Sequence, residues 1–137
     1  GLGDVYKRQV NIIANYAWNA APFVGHSGAA KAGVLNLTRT LALEWSKDNI
    51  RVNAMCPGIV LTDNVKQNLM LNESTTKRFE DFIPVGGVTN PEKMAQQVMY
   101  LCSPAADVIT GDMLIADGGQ WLVGNAFYQM GKQFLDE

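Results

Sequence analysis

The chain has 137 residues, 47% apolar and 18% charged, with a formal net charge of −2, the size and make-up of one globular domain. Its Lys and Arg residues are scattered, so the basic footprint of a nucleic-acid binder is missing, and no apolar run has the length of a membrane-spanning helix. Cys56 and Cys102 lie far apart, without metal-ligand spacing or disulfide density, so no metal site is expected and a reducing cytoplasm is the simplest home.

Residues 1–9 stand apart. Asp4-Val-Tyr-Lys-Arg-Gln9 can be encoded by GAT GTG TAT AAG AGA CAG, which resembles the transposase mosaic end used to prepare sequencing libraries. They are read as non-native sequence before a native chain cut just ahead of Val10; the alternative is a charged surface loop. No charged-then-apolar leader precedes Val10. Val10 to Ala14 is a short, partly β-branched apolar run, expected as a strand buried on both faces of a parallel sheet. From Gly28 to Ser46, Val34, Leu37, Leu41 and Trp45 recur at three- and four-residue steps, the pattern of an amphipathic helix closed by Asn49. Ile50 to Met55 reads as a second strand, ended by Pro57-Gly58.

Asp63 to Phe82 is polar, poorly periodic and partly helical. Asn90-Pro91-Glu92 opens a further helix with Met94, Val98 and Leu101 on one side, and Ser103-Pro104 stops it. Met113 to Ala116 is a third strand, ended by Asp117-Gly118-Gly119, which reads as a turn rather than a site. Trp121, Leu122, Phe127 and Phe134 in the tail suit a subunit contact. Strands alternating with helices predict an α/β fold, one half of a doubly wound parallel sheet. Residues 10–122 would form that half-domain and 123–137 a tail. No Gly-x-Gly-x-x-Gly or other glycine-rich turn between an opening strand and helix is present, so the usual dinucleotide phosphate cradle is absent from this chain.

Asn11-Ile-Ile, Gly28-Ala-Ala-Lys31-Ala-Gly-Val, Leu41-Ala-Leu-Glu-Trp45, Ile50-Arg-Val-Asn53, Pro57-Gly58 with Thr62, and Asp117-Gly-Gly119 together resemble the C-terminal half of a short-chain dehydrogenase/reductase. Each piece is weak alone; their order and spacing carry the resemblance, from Val10 to about Leu122. Tyr16 lies fifteen residues before Lys31, a spacing most similar to the 2,4-dienoyl-CoA reductases. His26-Ser-Gly-Ala-Ala-Lys31 and the long tail are also similar to the peroxisomal trans-2-enoyl-CoA reductases. The wider family's tyrosine stands four residues before the lysine, where this chain has Ser27.

The resemblance implies reduction of an unsaturated acyl-CoA with NADPH, NADH being possible. Tyr16 and Lys31 would be catalytic, with Lys31 also on the nicotinamide ribose. Pro57, Gly58, Ile59 and Thr62 would contact the cofactor and Ser27 the substrate. A tyrosine is a reluctant acid, with an unperturbed pKa of about 10, unless nearby positive charge favours its ionised form. Lys31 and an oxidised nicotinamide would supply that charge, and Tyr16 could then stabilise a dienolate. In the wider family a serine that binds the reacting carbonyl follows the first strand of this half; Ala14 or Asn15 stands there, against an ordinary ketone reaction.

Tyr16 could also be an ordinary strand-end tyrosine, and Ser27 a helix N-cap. His26 has no carboxylate or cysteine at ligand or triad spacing and is read as structural. Tyr128-Gln-Met-Gly-Lys132 is taken as a chance match, and Met70, Met94 and Met99 as packing residues. The alternatives are a carbonyl or alcohol oxidoreductase of the same family, or a non-catalytic homologous subunit. A homo-oligomer, tetramer or dimer, is implied by resemblance, in a peroxisome or mitochondrion if the source is eukaryotic. The 137 residues alone are expected to be inactive.

Overall fold

The structure, a computed structural model, describes residues 7–68, 72–124 and 131. Internal packing divides the chain into two units, residues 1–57 with 92–116 and residues 58–91 with 117–137. The first unit contains a parallel three-stranded sheet. Its strands β1 (Arg8–Ile12), β2 (Arg51–Pro57) and β3 (Met113–Ala116) lie side by side in chain order. Val10 stands opposite Asn53, and Met55 opposite Leu114. Parallel neighbours need crossover connections; α1 (Gly25–Glu44) joins β1 to β2, and α4 (Pro91–Cys102) lies on the path from β2 to β3. This is the expected α/β order.

Two details depart from expectation. The first strand begins at Arg8 and ends at Ile12, two residues earlier than Val10 to Ala14. Burial on both faces belongs to β2, whose Arg51 to Cys56 are all buried between two neighbours; β1 is paired on one side and leaves Ile12 45% exposed. The pairing of Arg8 and Gln9 with Arg51 and Val52 uses main-chain groups and is open to any sequence.

The core of this unit gathers Ile13, Leu35, Ala54 and Cys56, with Trp18, Val34, Met113 and Ile115 packed around them. α1 buries Leu35, Thr38 and Ala42, whereas Leu37 of the expected stripe is 49% exposed. Val34, Leu41 and Trp45 are half-buried. Apolar spacing picks Leu37 in place of Thr38 because the polar Thr38 holds a core position through its hydrogen bond from Asn11. A 3-10 turn, Ser46–Asp48, follows the helix, and Asn49 closes it at φ 58°, a left-handed position asparagine tolerates.

β2 fastens the segment between α4 and β3. Buried Arg51 donates to the carbonyls of Leu101 at 2.8 Å and Ile109 at 3.1 Å. Asn53 donates to Ile109 O at 2.9 Å and accepts from Asp112 N at 3.0 Å. Both cysteines are free.

In the second unit, the polar excursion forms α2 (Asp63–Asn68) and α3 (Glu73–Glu80). The Asn72 side chain accepts from Thr75 N at 2.9 Å, which gives α3 a starting cap. Asp117-Gly118-Gly119 is the expected turn. Both glycines have positive φ, 64° and 85°, and the Asp117 carboxylate accepts from Gly119 N and Trp121 N at 2.9 Å each. Met94 is half-buried, but Met99 is 70% exposed rather than packed. Met70, Phe127, Phe134, Tyr128 and Lys132 lie outside the described residues. Among the described residues, no helix is long and apolar enough to cross a membrane.

Candidate active site

At the carboxyl end of β1, Ile13 N still bonds to Met55 O at 2.9 Å. The chain then turns through Asn15–Ala17, a single 3-10 turn closed by Ala17 N to Ala14 O at 2.9 Å. Tyr16 sits in that turn, half-buried. Helix α1 starts after Phe23, which takes φ 68°, an uncommon backbone for a side chain branched at Cγ. Gly28 lies against the turn, and a Cβ there would stand 3.3 Å from Tyr16 O. A larger residue would push the helix and the turn apart.

Three of the expected site residues are held at this end of the strand, Ser27 against Tyr16 and Lys31 against Ile12. Lys31, two turns into α1, donates from Nζ to Ile12 O at 3.0 Å. Ser27 donates from Oγ to the Tyr16 hydroxyl at 3.4 Å, a long and weak bond. Ser27 is therefore not a helix cap. The N-cap is Val24, with no side-chain hydrogen bond, and Ser27 lies in the helix's first turn, because the helix starts at Gly25 rather than Gly28. An ammonium has three N–H groups; Ile12 O takes one of them on Lys31. The Tyr16 hydroxyl, accepting from Ser27, keeps its own hydrogen to donate. Beside them lies an open groove of about 390 Å³ lined by Tyr16, Trp18, Val24, Gly28, Ala29 and Ala32. His26 is exposed on the first turn of the helix. Among the described residues, no group of three His, Cys, Asp or Glu side chains could hold a metal ion.

Pro57 ends β2 opposite Ala116. Gly58, Ile59 and Thr62 belong to the second unit. A Cβ on Gly58 would come within 2.9 Å of Asp117 Cα and Cβ, so this position accepts only glycine without a shift. Thr89 N donates to Ile59 O at 3.1 Å, and Leu61 N to Thr89 O at 2.9 Å, which clamps the loop into an isolated parallel bridge, Val60 to Thr89. Thr62 Oγ1 accepts from Val65 N at 3.2 Å at the start of α2. Its O–H hydrogen is left to donate.

Arg51, Asn53, Asn11 and Thr38 were not singled out as site residues. Their signal was available in part: Arg and Asn inside a strand of Val, Ala, Met and Cys mark buried polar groups that need partners.

The family model described as enoyl-(acyl carrier protein) reductase matches residues 7–120. The chain belongs to the short-chain dehydrogenase/reductase family. The short-chain reductases similar to it include a Bacillus subtilis protein named as a probable 2,4-dienoyl-CoA reductase, (2E)-enoyl-CoA-producing. The two are 46% identical over 82% of this chain and 45% of that protein. The mouse peroxisomal 2,4-dienoyl-CoA reductase, (3E)-enoyl-CoA-producing, is 35% identical over 82% of this chain and 39% of its own length. The chain thus spans less than half of these relatives.

Among solved structures of the family, a short chain dehydrogenase from Bacillus anthracis is 41% identical, with a TM-score of 0.71 over 85% of this chain and 44% of its own. An Agrobacterium tumefaciens protein with bound NADP, a candidate 2-deoxy-D-gluconate 3-dehydrogenase, is 35% identical. Its TM-score is 0.77 over 84% and 46%. A 4-hydroxyisoleucine dehydrogenase complexed with NADH is 27% identical, with a TM-score of 0.79 over 90% and 50%.

Proposed function

We propose that this chain is the substrate-side part of a longer NAD(P)H-dependent reductase acting on an unsaturated acyl-CoA thioester, a 2,4-dienoyl-CoA or a trans-2-enoyl-CoA. The observation that carries this reading is that Ser27 contacts the Tyr16 hydroxyl and Lys31 the Ile12 carbonyl at the end of β1, with hydrogens left on Tyr16 and Lys31. The similarity to two proteins named as 2,4-dienoyl-CoA reductases supports the substrate class.

The donor chemistry fits a nicotinamide nucleotide. In the first unit Lys31 keeps N–H groups of the kind that ribose hydroxyls accept from, and in the second unit Thr62 keeps an O–H of the kind that a phosphate oxygen accepts from. When bound, that nucleotide supplies hydride. Tyr16 donates its hydrogen bond to the thioester carbonyl oxygen, where negative charge collects as the conjugated double bond is reduced. Ser27 contacts the Tyr16 hydroxyl through a long bond. NADPH is the proposed donor, supported by an NADP-bound neighbour that is more identical to this chain than the NADH-bound one.

The same reading makes the longer protein a homo-oligomer, dimer or tetramer, that uses the small residues of α1. It would work in the cytoplasm, or in a peroxisome or mitochondrion in a eukaryote. A carbonyl or alcohol dehydrogenase is the second reading, favoured by the solved neighbours named as dehydrogenases. The two separate in one assay of the longer protein: NADPH oxidation with a 2,4-dienoyl-CoA, a trans-2-enoyl-CoA and a simple ketone. The proposal expects turnover of an acyl-CoA and none of the ketone; turnover of the ketone alone would favour the dehydrogenase.

A further inference from the structure

We infer that Thr38 and Asn11 are positioning residues for Lys31: their hydrogen bond sets how far α1 slides along β1, and so where the Lys31 ammonium presents its remaining N–H groups. The inference rests on the reductase reading above.

Thr38 is fully buried, at 0% exposure, on the face of α1 that meets the sheet. A buried hydroxyl is costly unless it is hydrogen-bonded, and here it is bonded twice. Oγ1 donates to Val34 O at 2.8 Å and accepts from Asn11 Nδ2 at 2.9 Å. A hydroxyl has one hydrogen, so once Val34 takes it Asn11 must be the donor. That fixes the Asn11 amide, whose Oδ1 then accepts from Gln9 Nε2 at 2.9 Å.

Thr38 follows Lys31 by seven residues, close to two helical turns, so both lie on one face of α1. Their partners, Asn11 and Ile12, are consecutive in β1. The helix is thereby tied to the strand at two points. One is the short, rigid Thr38 side chain; the other is the long, flexible Lys31 stem. The first fixes register more tightly, because the Thr38 hydroxyl stands one bond from Cβ; a slip of the helix would bend the lysine stem and redirect the N–H groups that Ile12 O does not take. Packing alone does not need the hydroxyl, since valine has the same shape. What the hydroxyl adds is direction.

The test uses the longer reductase that carries this chain, with Thr38→Val, Thr38→Ser, Asn11→Ala and a Lys31→Met control. Each is read by kcat, by KM for NADPH, by KM for the acyl-CoA and by the unfolding midpoint. The proposal expects Thr38→Val and Asn11→Ala to raise KM for NADPH or lower kcat by about tenfold, the scale of a small misplacement of a binding group. KM for the acyl-CoA should hold, and Thr38→Ser should restore the wild-type values. Wild-type kinetics in Thr38→Val and Asn11→Ala, with Lys31→Met impaired, would overturn the positioning role alone. A lower unfolding midpoint with unchanged kinetics would overturn it too, leaving a purely structural bond. Should Thr38→Val not fold, Asn11→Ala carries the same comparison. Wild-type kinetics in Lys31→Met would overturn the reductase reading underneath.

Discussion

Gly118 is held by both its backbone and its surroundings. Its φ is 64°, and a Cβ added there would lie 2.6 Å from Ile83 Cγ2. A left-handed L-residue and an overpacked contact are both unfavourable, so Gly118→Ala should lose about 2 kcal/mol or more of stability, read as a lower midpoint in urea unfolding. An unchanged midpoint would show that the turn relaxes freely. Tyr16 presents the opposite case at the same scale: its main chain is fixed by a tight turn and by Gly28, while its hydroxyl has only the long contact to Ser27. That leaves the hydroxyl available to a ligand.

Among the elements, β2 does most to join the first unit. Its two faces are covered, and its two polar side chains, Arg51 and Asn53, hold the carbonyls and an amide of the segment before β3. The pair between Arg51 and Asp107 at 3.9 Å adds little, because the Asp107 side chain is 62% exposed. Arg51→Met would leave the buried Leu101 carbonyl without this donor and should cost about 3 kcal/mol, measured again by urea unfolding. A loss below about 1 kcal/mol would mean that water replaces the guanidinium.

The same elements show what local chemistry can announce. The start of α4 at Pro91 and the bounds of β3 were legible, because a proline in the first helical turn and an Asp-Gly-Gly turn act on their own neighbours. The start of α1 was not. No side chain caps Val24, and the positive φ of Phe23 leaves no mark in the sequence. On the buried face of α1 only Leu37 was misread and Thr38 missed, since a threonine counts as polar until its partner on β1 is known.

At the scale of the whole molecule, the parallel sheet in chain order and the family match agree with the expected half of a doubly wound domain. Tyr16 lies in the turn after β1 and Lys31 on α1, the neighbouring elements in which the sequence placed them. The contact of Ser27 with the Tyr16 hydroxyl and the use of Thr62 on α2 needed the folded chain. The chain covers 45% of its Bacillus subtilis relative and holds no glycine-rich phosphate turn. The 137-residue chain alone should therefore show no NADPH-dependent turnover of a dienoyl-CoA; measurable turnover would mean that it assembles a nucleotide site without that turn.

The proposed action of Tyr16 on the thioester carbonyl is tested by kcat for 2,4-dienoyl-CoA reduction in the longer protein carrying Tyr16→Phe. The expected result is a fall of about a hundredfold or more, as for loss of a positioned acid or oxyanion donor, with the unfolding midpoint unchanged. Wild-type kcat in Tyr16→Phe would contradict it and pass the role to Ser27 or to another donor.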